Sequence, residues 1–415
     1  MARSTGSWSE RPDRARPPTP GGGLPSAPGS VARVYLDYAG FAPIDPRVVA
    51  FMRPFLEGGI GNPSAMHSVG SEASASLEAA RAKVARLIGG SAAGVVFTSS
   101  ATEANNLAIR GILLRAEEGS HLVTSAIEHV SVVNSCRDLE KRGYPVSWVP
   151  VDEMGRLDPE AVVAAVRPNT TLVSIGAANG EIGTAQPVRE IGRQLRRRGV
   201  PLHVDAVGVA GRVPLDVEDA DIDLLTLSSN DLYGPPGAGA LWVRAPQVKL
   251  APLIVGGAQE QGLRAGTENL PAIVGMGVAA DLARVEGLRE AGRLIAFRDR
   301  LIRRLLETVP GARLTGGVGR ERLPHHVSLV QREVKADGVL LDLDVRGIAA
   351  STGSACMAKT GMASHVLRAI GCDQRESEGS LCFTFGRWTT TADIDTLLDA
   401  LPPIVERLRR LAPTA

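Results

Sequence analysis

The chain has 415 residues and a formal net charge of +1 at pH 7. This length suggests two domains or one large α/β domain with an appendage, and the charge gives no reason to expect nucleic acid or an anionic membrane surface as a partner. No apolar run approaches the roughly 18 residues that cross a bilayer, and the N-terminus lacks the apolar core of a secretory signal. The four cysteines show no CxxC spacing, which indicates a reducing compartment without a cysteine-based metal site. We therefore expect a cytoplasmic protein.

The first segment, residues 1–33, is rich in Pro, Gly, Ser and Arg. It has too few large apolar side chains to offset the entropy of ordering, so we predict a disordered tail. A transit peptide would also be rich in Arg and Ser, but the prolines and glycines argue against its amphipathic helix.

From residue 95 onward, strand and helix patterns alternate. The β-branched run 95–98 precedes Ser99-Ser100-Ala101-Thr102-Glu103, which reads as the capped start of an amphipathic helix. Further short apolar runs at 122–125, 172–175, 202–204 and 222–227 are separated by helical stretches such as 189–198. This alternation predicts a mainly parallel sheet covered on both faces, whose carboxyl ends meet at one crevice. Free N–H groups at the helix start at residue 101 would suit a phosphate there.

The last third of the chain reads as a smaller α/β domain. A helical pattern over about 271–308 is followed by a strand at 326–330 and a helix at 337–345. Cys356 then lies among Ser, Thr and Gly, with Lys359 nearby. This composition indicates an exposed loop whose positive charge favours the thiolate form of Cys356.

Several segments together resemble the NifS/IscS-type cysteine desulfurases of the class V aminotransferase family. Residues 226–239, Thr-Leu-Ser-Ser-Asn-Asp-Leu-Tyr-Gly-Pro-Pro-Gly-Ala-Gly, resemble the segment Ser-x-His-Lys-x-Tyr-Gly-Pro-x-Gly, whose Lys holds pyridoxal phosphate (PLP) as a Schiff base. Residues 34–39 resemble the family's opening Tyr-Leu-Asp-Tyr-x-Ala, and residues 351–356 its mobile loop Ser-Ser-Gly-Ser-Ala-Cys. The motifs occur in family order from about residue 34 to 410.

The resemblance implies the PLP-dependent transferase fold of the aspartate aminotransferase type (type I), with a mainly parallel central sheet and a smaller C-terminal α/β domain. We accordingly expect a large cofactor-type domain over 45–290, and a small domain formed by 34–44 plus 291–415. It also implies a homodimer, because the family loop matched by Arg264 and Thr267 reaches across the subunit interface.

Some family positions keep their residue. The resemblance implies a phosphate cup, a ring-stacking histidine, an aspartate for the ring nitrogen, and a thiol that carries persulfide. The matching residues are Ala101, Thr102, Ser228 and Thr267 for the phosphate, His129 for stacking, Asp205 for the ring nitrogen, and Cys356 for the persulfide.

Five other positions depart from the pattern, and all five lie on the reactive side of the implied site. Gly180 and Gly208 replace an Asn and a Gln, and Asn230-Asp231 replaces the His-Lys pair. Cys382 stands where the family has the arginine that clamps the substrate carboxylate, and only the second arginine of that motif, Arg387, remains. A separate departure lies in the opening segment, where Phe41-Ala42 replaces the family's Thr-Thr.

Schiff-base catalysis needs an amine, and an aspartate cannot supply one. The chain has five lysines: Lys83, Lys141, Lys249, Lys335 and Lys359. Only Lys359, in the predicted mobile loop, is placed by sequence where it could approach the crevice. Covalent PLP is therefore not expected, and the protein could hold PLP without a covalent bond or hold no cofactor.

Three hypotheses follow. The first is a desulfurase-like protein of sulfur metabolism that has lost ordinary PLP catalysis and acts as a sulfur relay or scaffold. In this hypothesis Cys356 accepts sulfur, or ligates an iron–sulfur intermediate, on behalf of a partner protein. The second is a PLP-dependent cysteine desulfurase or lyase with Lys359 as a displaced lysine. The third is an enzyme that uses the phosphate cup for another ligand, with His129, Asp205 and Asp231 as acid–base or metal groups.

Overall fold

The computed structural model describes residues 33–58, 61–353 and 364–411. Its strands, in chain order, are β1 Val34–Tyr35, β2 Val95–Thr98, β3 His121–Ser125, β4 Val146–Val149, β5 Thr170–Gly176, β6 Leu202–Asp205, β7 Leu224–Ser228, β8 Gly239–Val243, β9 Arg313–Leu314, β10 His326–Val330, β11 Ile348–Ala349 and β12 Leu381–Thr384. Its α-helices are α1 Pro46–Glu57, α2 Ser68–Leu87, α3 Ala101–Leu113, α4 Val130–Lys141, α5 Pro159–Ala164, α6 Val188–Arg198, α7 Leu270–Thr308, α8 Ala336–Val345, α9 His365–Ala369, α10 Gln374–Glu378 and α11 Thr391–Leu411.

The central sheet has seven strands in the order β2-β8-β7-β6-β5-β3-β4. Only β8 runs antiparallel to its neighbours, β2 and β7. Consecutive strand residues face opposite layers, as alternation of side chains requires. Leu122 joins an apolar cluster with α3 and α4, whereas Val123 joins one with α2, α5, α6 and the first half of α7. The prediction of a mainly parallel sheet covered on both faces is therefore confirmed.

A second core lies around the smaller sheet β12-β10-β9 and the parallel pair β1-β11. Leu294, Leu301 and Leu305 of α7 pack there against α8 and α11. Helix α7 thus contributes to both cores, and the predicted domain limit at residue 290 lies inside it. The domain limits stay a prediction, and the predicted tail lies almost wholly outside the described residues.

The crevice is positioned by the ends of neighbouring strands. The parallel strands β5, β6 and β7 end at Gly176, Asp205 and Ser228, on one edge of the sheet. Ser228 pairs with Gly239 across β7 and β8. A Cβ at Gly239 would lie 2.5 Å from the carbonyl carbon of Ser100, so glycine is required for α3 to begin this close to the strand ends. Within the described residues, every helix is too short or too polar to span a bilayer.

Candidate active site

Asp205 is held rigidly at the end of β6. One carboxylate oxygen accepts from Asn105 Nδ2 at 2.7 Å and the other from the Val207 amide at 3.1 Å. Asn105 is fully buried in α3 and also donates to Ser131 Oγ at 2.9 Å. Because both oxygens are engaged, the orientation of the Asp205 carboxylate is fixed before any ligand binds.

His129 joins the same network. It caps the N-terminus of α4, where Nδ1 accepts from the Ser131 amide at 3.2 Å and lies 2.8 Å from Ser131 Oγ. Its ring is exposed, and Nε2 has no hydrogen-bond partner among the described residues. The structure therefore connects His129 to Asp205 through Ser131 and Asn105.

The start of α3 has free hydrogen-bond donors. Ser100 Oγ accepts from the Glu103 amide at 3.2 Å, which caps the helix. The amides of Ala101 and Thr102 have no acceptor in the described part of the chain. The pairing of Ser228 with Gly239 brings the Ser228 end of β7 next to these amides. Three of the four residues predicted for the phosphate cup thus lie together.

Thr267, the fourth, lies in a loop tied to the same helix. Arg264 Nε donates to Glu103 Oε1 at 3.2 Å, which anchors the loop on the first turn of α3. Thr267 itself is exposed and makes no hydrogen bond to any described residue. Its expected contact is with a second subunit, so its role stays a prediction.

Asp231 follows β7 in a single helical turn over 230–232. Ser228 donates to its carboxylate, and Arg212 is the neighbouring positive charge. Burial raises the pKa of Asp231 above its ordinary value, because desolvation outweighs the attraction of Arg212. The turn ends at Tyr233, which has φ 64°, and the Arg212 guanidinium lies 5.6 Å from the centre of the Tyr233 ring.

Asn230 has a structural role in this arrangement. Its side-chain oxygen accepts from the Ala42 amide at 3.2 Å, and its Nδ2 donates to the Ala42 carbonyl at 2.8 Å. Two departures from the family pattern, at residues 42 and 230, are therefore in direct contact.

Gly180 and Gly208, which replace family side chains, both have room for a larger residue. A Cβ at Gly180 would meet no atom within 4 Å, and one at Gly208 would meet only Leu323 Cδ1 at 3.5 Å. Packing therefore does not require glycine at either position.

Cys382 is a buried residue of β12, 2% exposed. Burial raises the pKa of its thiol. Its Sγ lies 3.3 Å from His326 Nε2, but that nitrogen also lies 2.9 Å from the Gly180 carbonyl. Burial lowers the pKa of His326 to about 3, so the neutral imidazole donates to the carbonyl and does not activate the thiol.

Arg387 forms ion pairs with two acidic side chains. It donates to Asp45 and, at 3.1 Å, to Glu290, and its side chain is 13% exposed. Tyr233 Oη donates to the same Glu290 at 2.9 Å. The arginine that remains of the family motif is therefore fully engaged within the protein.

The lysines of the described residues lie elsewhere. Lys83 packs over Phe51 at 5.8 Å, Lys335 pairs with Glu378 at 3.1 Å, and Lys141 and Lys249 are exposed. Cys356 and Lys359 lie outside the described residues. Among those described, no three His, Cys, Asp or Glu side chains are grouped to hold a metal ion.

Sequence reasoning missed Asn105, Arg212 and Glu128. Asn105 is a buried amide at the same helix face as Ala104, Leu107 and Ala108, and a polar residue in such an apolar stripe is the signal that could have identified it. Glu128 is buried next to Asp205 and accepts a hydrogen bond from Ser125.

The buried Glu128 leads to a pH prediction. Burial, with a smaller contribution from Asp205, raises its pKa from an ordinary 4.5 to about 7. The folded state therefore keeps a proton that the unfolded state has released, and this carboxyl lowers the free energy of unfolding as pH rises between those values. In Glu128→Gln the residue no longer titrates. We therefore expect the free energy of unfolding of this variant to fall with rising pH by up to about 3 kcal/mol less than that of the parent.

The measurement is urea unfolding at pH 5, 6, 7 and 8. Glu181→Gln is the comparison, because burial raises the pKa of Glu181 to about 7 as well. An identical pH slope for the parent and Glu128→Gln would show that Glu128 does not titrate in this window.

Known proteins identify the class to which this arrangement belongs. The aminotransferase class-V family model matches residues 34–397. A solved structure described as a NifS-like protein superposes with a TM-score of 0.84 at 33% identity, covering 91% of this chain and all of that one. The fold is thus the type I fold of PLP-dependent transferases, as expected.

Two relatives narrow the assignment. Cysteine desulfurase IscS 1 of Archaeoglobus fulgidus is 47% identical over 380 residues, which cover 91% of this chain and 98% of that protein. A cysteine desulfurase of Trichormus azollae is 42% identical, over 92% of this chain and 94% of its own length. The chain belongs to the class V aminotransferase family, among the NifS/IscS-type cysteine desulfurases.

Proposed function

We propose that this protein works in sulfur metabolism without ordinary PLP catalysis, and that Cys356 accepts sulfur on behalf of a partner protein as a relay or scaffold. The observation that carries the proposal is Asp231, a carboxylate at the position that the family motif assigns to the Schiff-base lysine. Its carboxylate accepts a hydrogen bond from Ser228, and Arg212 is the neighbouring positive charge.

The residues of the site suit the phosphate and the ring nitrogen of PLP but not its aldehyde. The free amides of Ala101 and Thr102 suit a phosphate, and the fixed carboxylate of Asp205 suits a protonated ring nitrogen. A carboxylate at residue 231 does not suit an aldehyde, since it has no nucleophilic amine and presents only acceptor oxygens when ionised. No step of the proposed function runs through PLP.

The residues at the family's substrate-carboxylate position also argue against ordinary PLP catalysis. A free amino acid needs a counterion for its carboxylate, and removal of such a charge-assisted partner costs about 2–5 kcal/mol. Cys382 supplies no charge, and Arg387 is already paired with Asp45 and Glu290. Weak binding of cysteine is the expected consequence.

The proposed relay balances as thiol exchange. The Cys356 thiolate attacks the outer sulfur of a donor persulfide, forms the S–S bond of a Cys356 persulfide, and releases the donor as a thiolate. A thiolate of the acceptor protein then takes the outer sulfur and restores Cys356. We propose a homodimer as the working form.

The test is transfer of labelled sulfane sulfur. The full-length protein would be incubated with a ³⁵S-persulfide donor, and the label on residue 356 mapped by peptide analysis. We expect Cys356→Ser to abolish labelling and transfer. Cys372→Ser is the matched control, because its thiol is buried and bonded to Arg313, and it is expected to transfer normally.

Undiminished transfer by Cys356→Ser would refute the relay. Formation of alanine and sulfide from cysteine, lost in Lys359→Ala, would instead support a desulfurase with a displaced lysine.

A further inference from the structure

Glu181 is held in a defined place by the turn that follows β5. Asn179 Oδ1 accepts from the amides of Glu181 at 2.9 Å and of Ile182 at 3.0 Å. Asn179 Nδ2 in turn donates to the Ile127 carbonyl at 2.6 Å. The backbone of this turn is therefore fixed by a buttressed side chain, and Glu181 can serve as an anchor for other segments.

Gly353, the last described residue before Cys356, lies against this anchor. A Cβ at Gly353 would lie 3.1 Å from Glu181 Cγ and 3.2 Å from both the Glu181 carbonyl oxygen and Cys382 Cβ. The chain arrives there in a fixed direction, because Ser351 and Cys382 exchange backbone hydrogen bonds of 2.7 and 3.3 Å. Gly353 has φ 79°, which favours glycine. The chain that leads to Cys356 thus packs on Glu181.

Ser364, where the described chain resumes after residue 363, is bonded to the same side chain. Its hydroxyl donates to the Glu181 carboxyl. It also accepts from the amides of Val366 at 3.1 Å and Leu367 at 3.3 Å, which caps α9. Val366 and Leu367 belong to the apolar cluster that contains Ile182, the neighbour of Glu181. The chain on both sides of residues 354–363 is therefore attached at Glu181.

Covalent geometry limits how far Cys356 can lie from this anchor. A chain advances at most about 3.6 Å per residue, so three residues place the Cα of Cys356 within about 11 Å of the Cα of Gly353. This limit holds for every conformation of the residues between them. A contact that fixes Gly353 therefore restricts the positions open to the Cys356 thiol.

The carboxyl of Glu181 is costly to keep at this place. Its Oε1 is buried and has no hydrogen-bond partner among the described residues, and burial raises the pKa of the carboxyl to about 7. A buried acceptor without a partner destabilises a fold. An apolar side chain would fill the space without this cost, but it could not accept the hydrogen bond from Ser364.

We propose that Glu181 is a positioning residue for sulfur transfer, which anchors both Gly353 and Ser364 and thereby limits where the Cys356 thiol can lie. The inference rests on the proposed function, because Cys356 is taken as the residue that carries sulfur.

The test measures the rate of ³⁵S labelling of residue 356 in the full-length protein, with glutathione persulfide labelled in its outer sulfur as the donor. We expect Glu181→Ala to lower the rate constant about 10- to 100-fold, since misplacement of a reacting group by about 1 Å can have an effect of this size. Glu181→Gln keeps an oxygen that can accept from Ser364, so it is expected to label at close to the parent rate.

Gly353→Ala tests the same contact from the other side. Its new methyl group would press on Glu181, and we expect slow labelling as in Glu181→Ala. Gly119→Ala is the matched control, because Gly119 has φ 76° but a Cβ there meets no atom within 4 Å. This control carries a similar backbone strain and is expected to label at the parent rate.

The inference is overturned by labelling at the parent rate in folded Glu181→Ala, or in Gly353→Ala if the first variant does not fold. A Glu181→Gln protein as slow as Glu181→Ala, or an equal loss of rate in Gly119→Ala, would also overturn it. Cys356→Ser, measured alongside, separates this failure from that of the proposed function. Undiminished labelling of Cys356→Ser refutes the relay, whereas labelling that depends on Cys356 but not on Glu181 refutes the positioning role alone.

Discussion

Asp231→Lys is expected to give the protein a covalent PLP adduct that the parent does not form. The free amides at the start of α3 and the fixed carboxylate of Asp205 remain in this variant to orient the cofactor. Arg212 then faces a like charge, which lowers the pKa of the new amine and increases its neutral, nucleophilic fraction. We expect labelling to rise from undetectable to about one adduct per chain.

The adduct is measured by borohydride reduction, intact mass and peptide mapping to residue 231. Asp231→Asn controls for loss of the carboxylate alone, and Asp219→Lys controls for reaction of PLP with an exposed lysine. Neither is expected to show an adduct at the crevice. A folded Asp231→Lys protein without an adduct at residue 231 would mean that this residue does not occupy the lysine position. Desulfurase activity is not expected in the variant, because Cys382 still supplies no charge for the substrate carboxylate.

Arg387→Met is expected to lower the free energy of unfolding by about 3 kcal/mol, because the buried Glu290 loses its cation whereas Asp45 keeps its bonds from Arg47. Arg387 bonds Asp45 and Glu290, whose side chains are 3% and 13% exposed. Methionine keeps the length of the side chain, so the measured loss reports mainly the charge. Arg53→Met is the matched control, because Arg53 and Glu57 are both exposed, and its expected change is within about 0.5 kcal/mol.

The effect of Arg387→Met should depend on pH. Hydrogen bonds from Arg47 and the charge of Arg387 lower the pKa of Asp45 despite its burial. A carboxyl whose pKa is lowered by folding stabilises the protein above its unfolded pKa, and this contribution is lost as pH falls through the folded value. Urea unfolding at fixed protein concentration should therefore show a larger difference at pH 7 than near pH 3. A difference below about 1 kcal/mol at pH 7 would contradict the assigned cluster.

Apolar runs predicted strands of the central sheet, and helical periodicity predicted α7. The runs 122–125, 172–175 and 202–204 lie within β3, β5 and β6, and the pattern over 271–308 lies within α7. These elements are predictable because burial on both faces gives parallel strands continuous apolar runs. The order of family motifs then indicated the type I fold, which the comparisons confirm.

The sequence identified individual site residues but not the contacts between them. Asp205 and Asn105 are 100 positions apart, and no local pattern indicates that they are bonded. The pairing of Arg387 with Asp45 spans 342 positions, so sequence alone could not show that this arginine is already occupied. Arg212 lies in the turn after β6 with its guanidinium over the Tyr233 ring, which brings its positive charge near Asp231. Periodicity encodes neither feature.

The most direct test of the central claim is to treat the parent protein with excess PLP and then with borohydride, and to follow absorption and the mass of its peptides. The account predicts no lasting band of a lysine-bound cofactor and no reduced adduct on any lysine near the crevice, with any bound PLP removed by dialysis. A stoichiometric adduct on one mapped lysine, Lys359 above all, would contradict it and would show that Schiff-base chemistry has been rebuilt around a different amine.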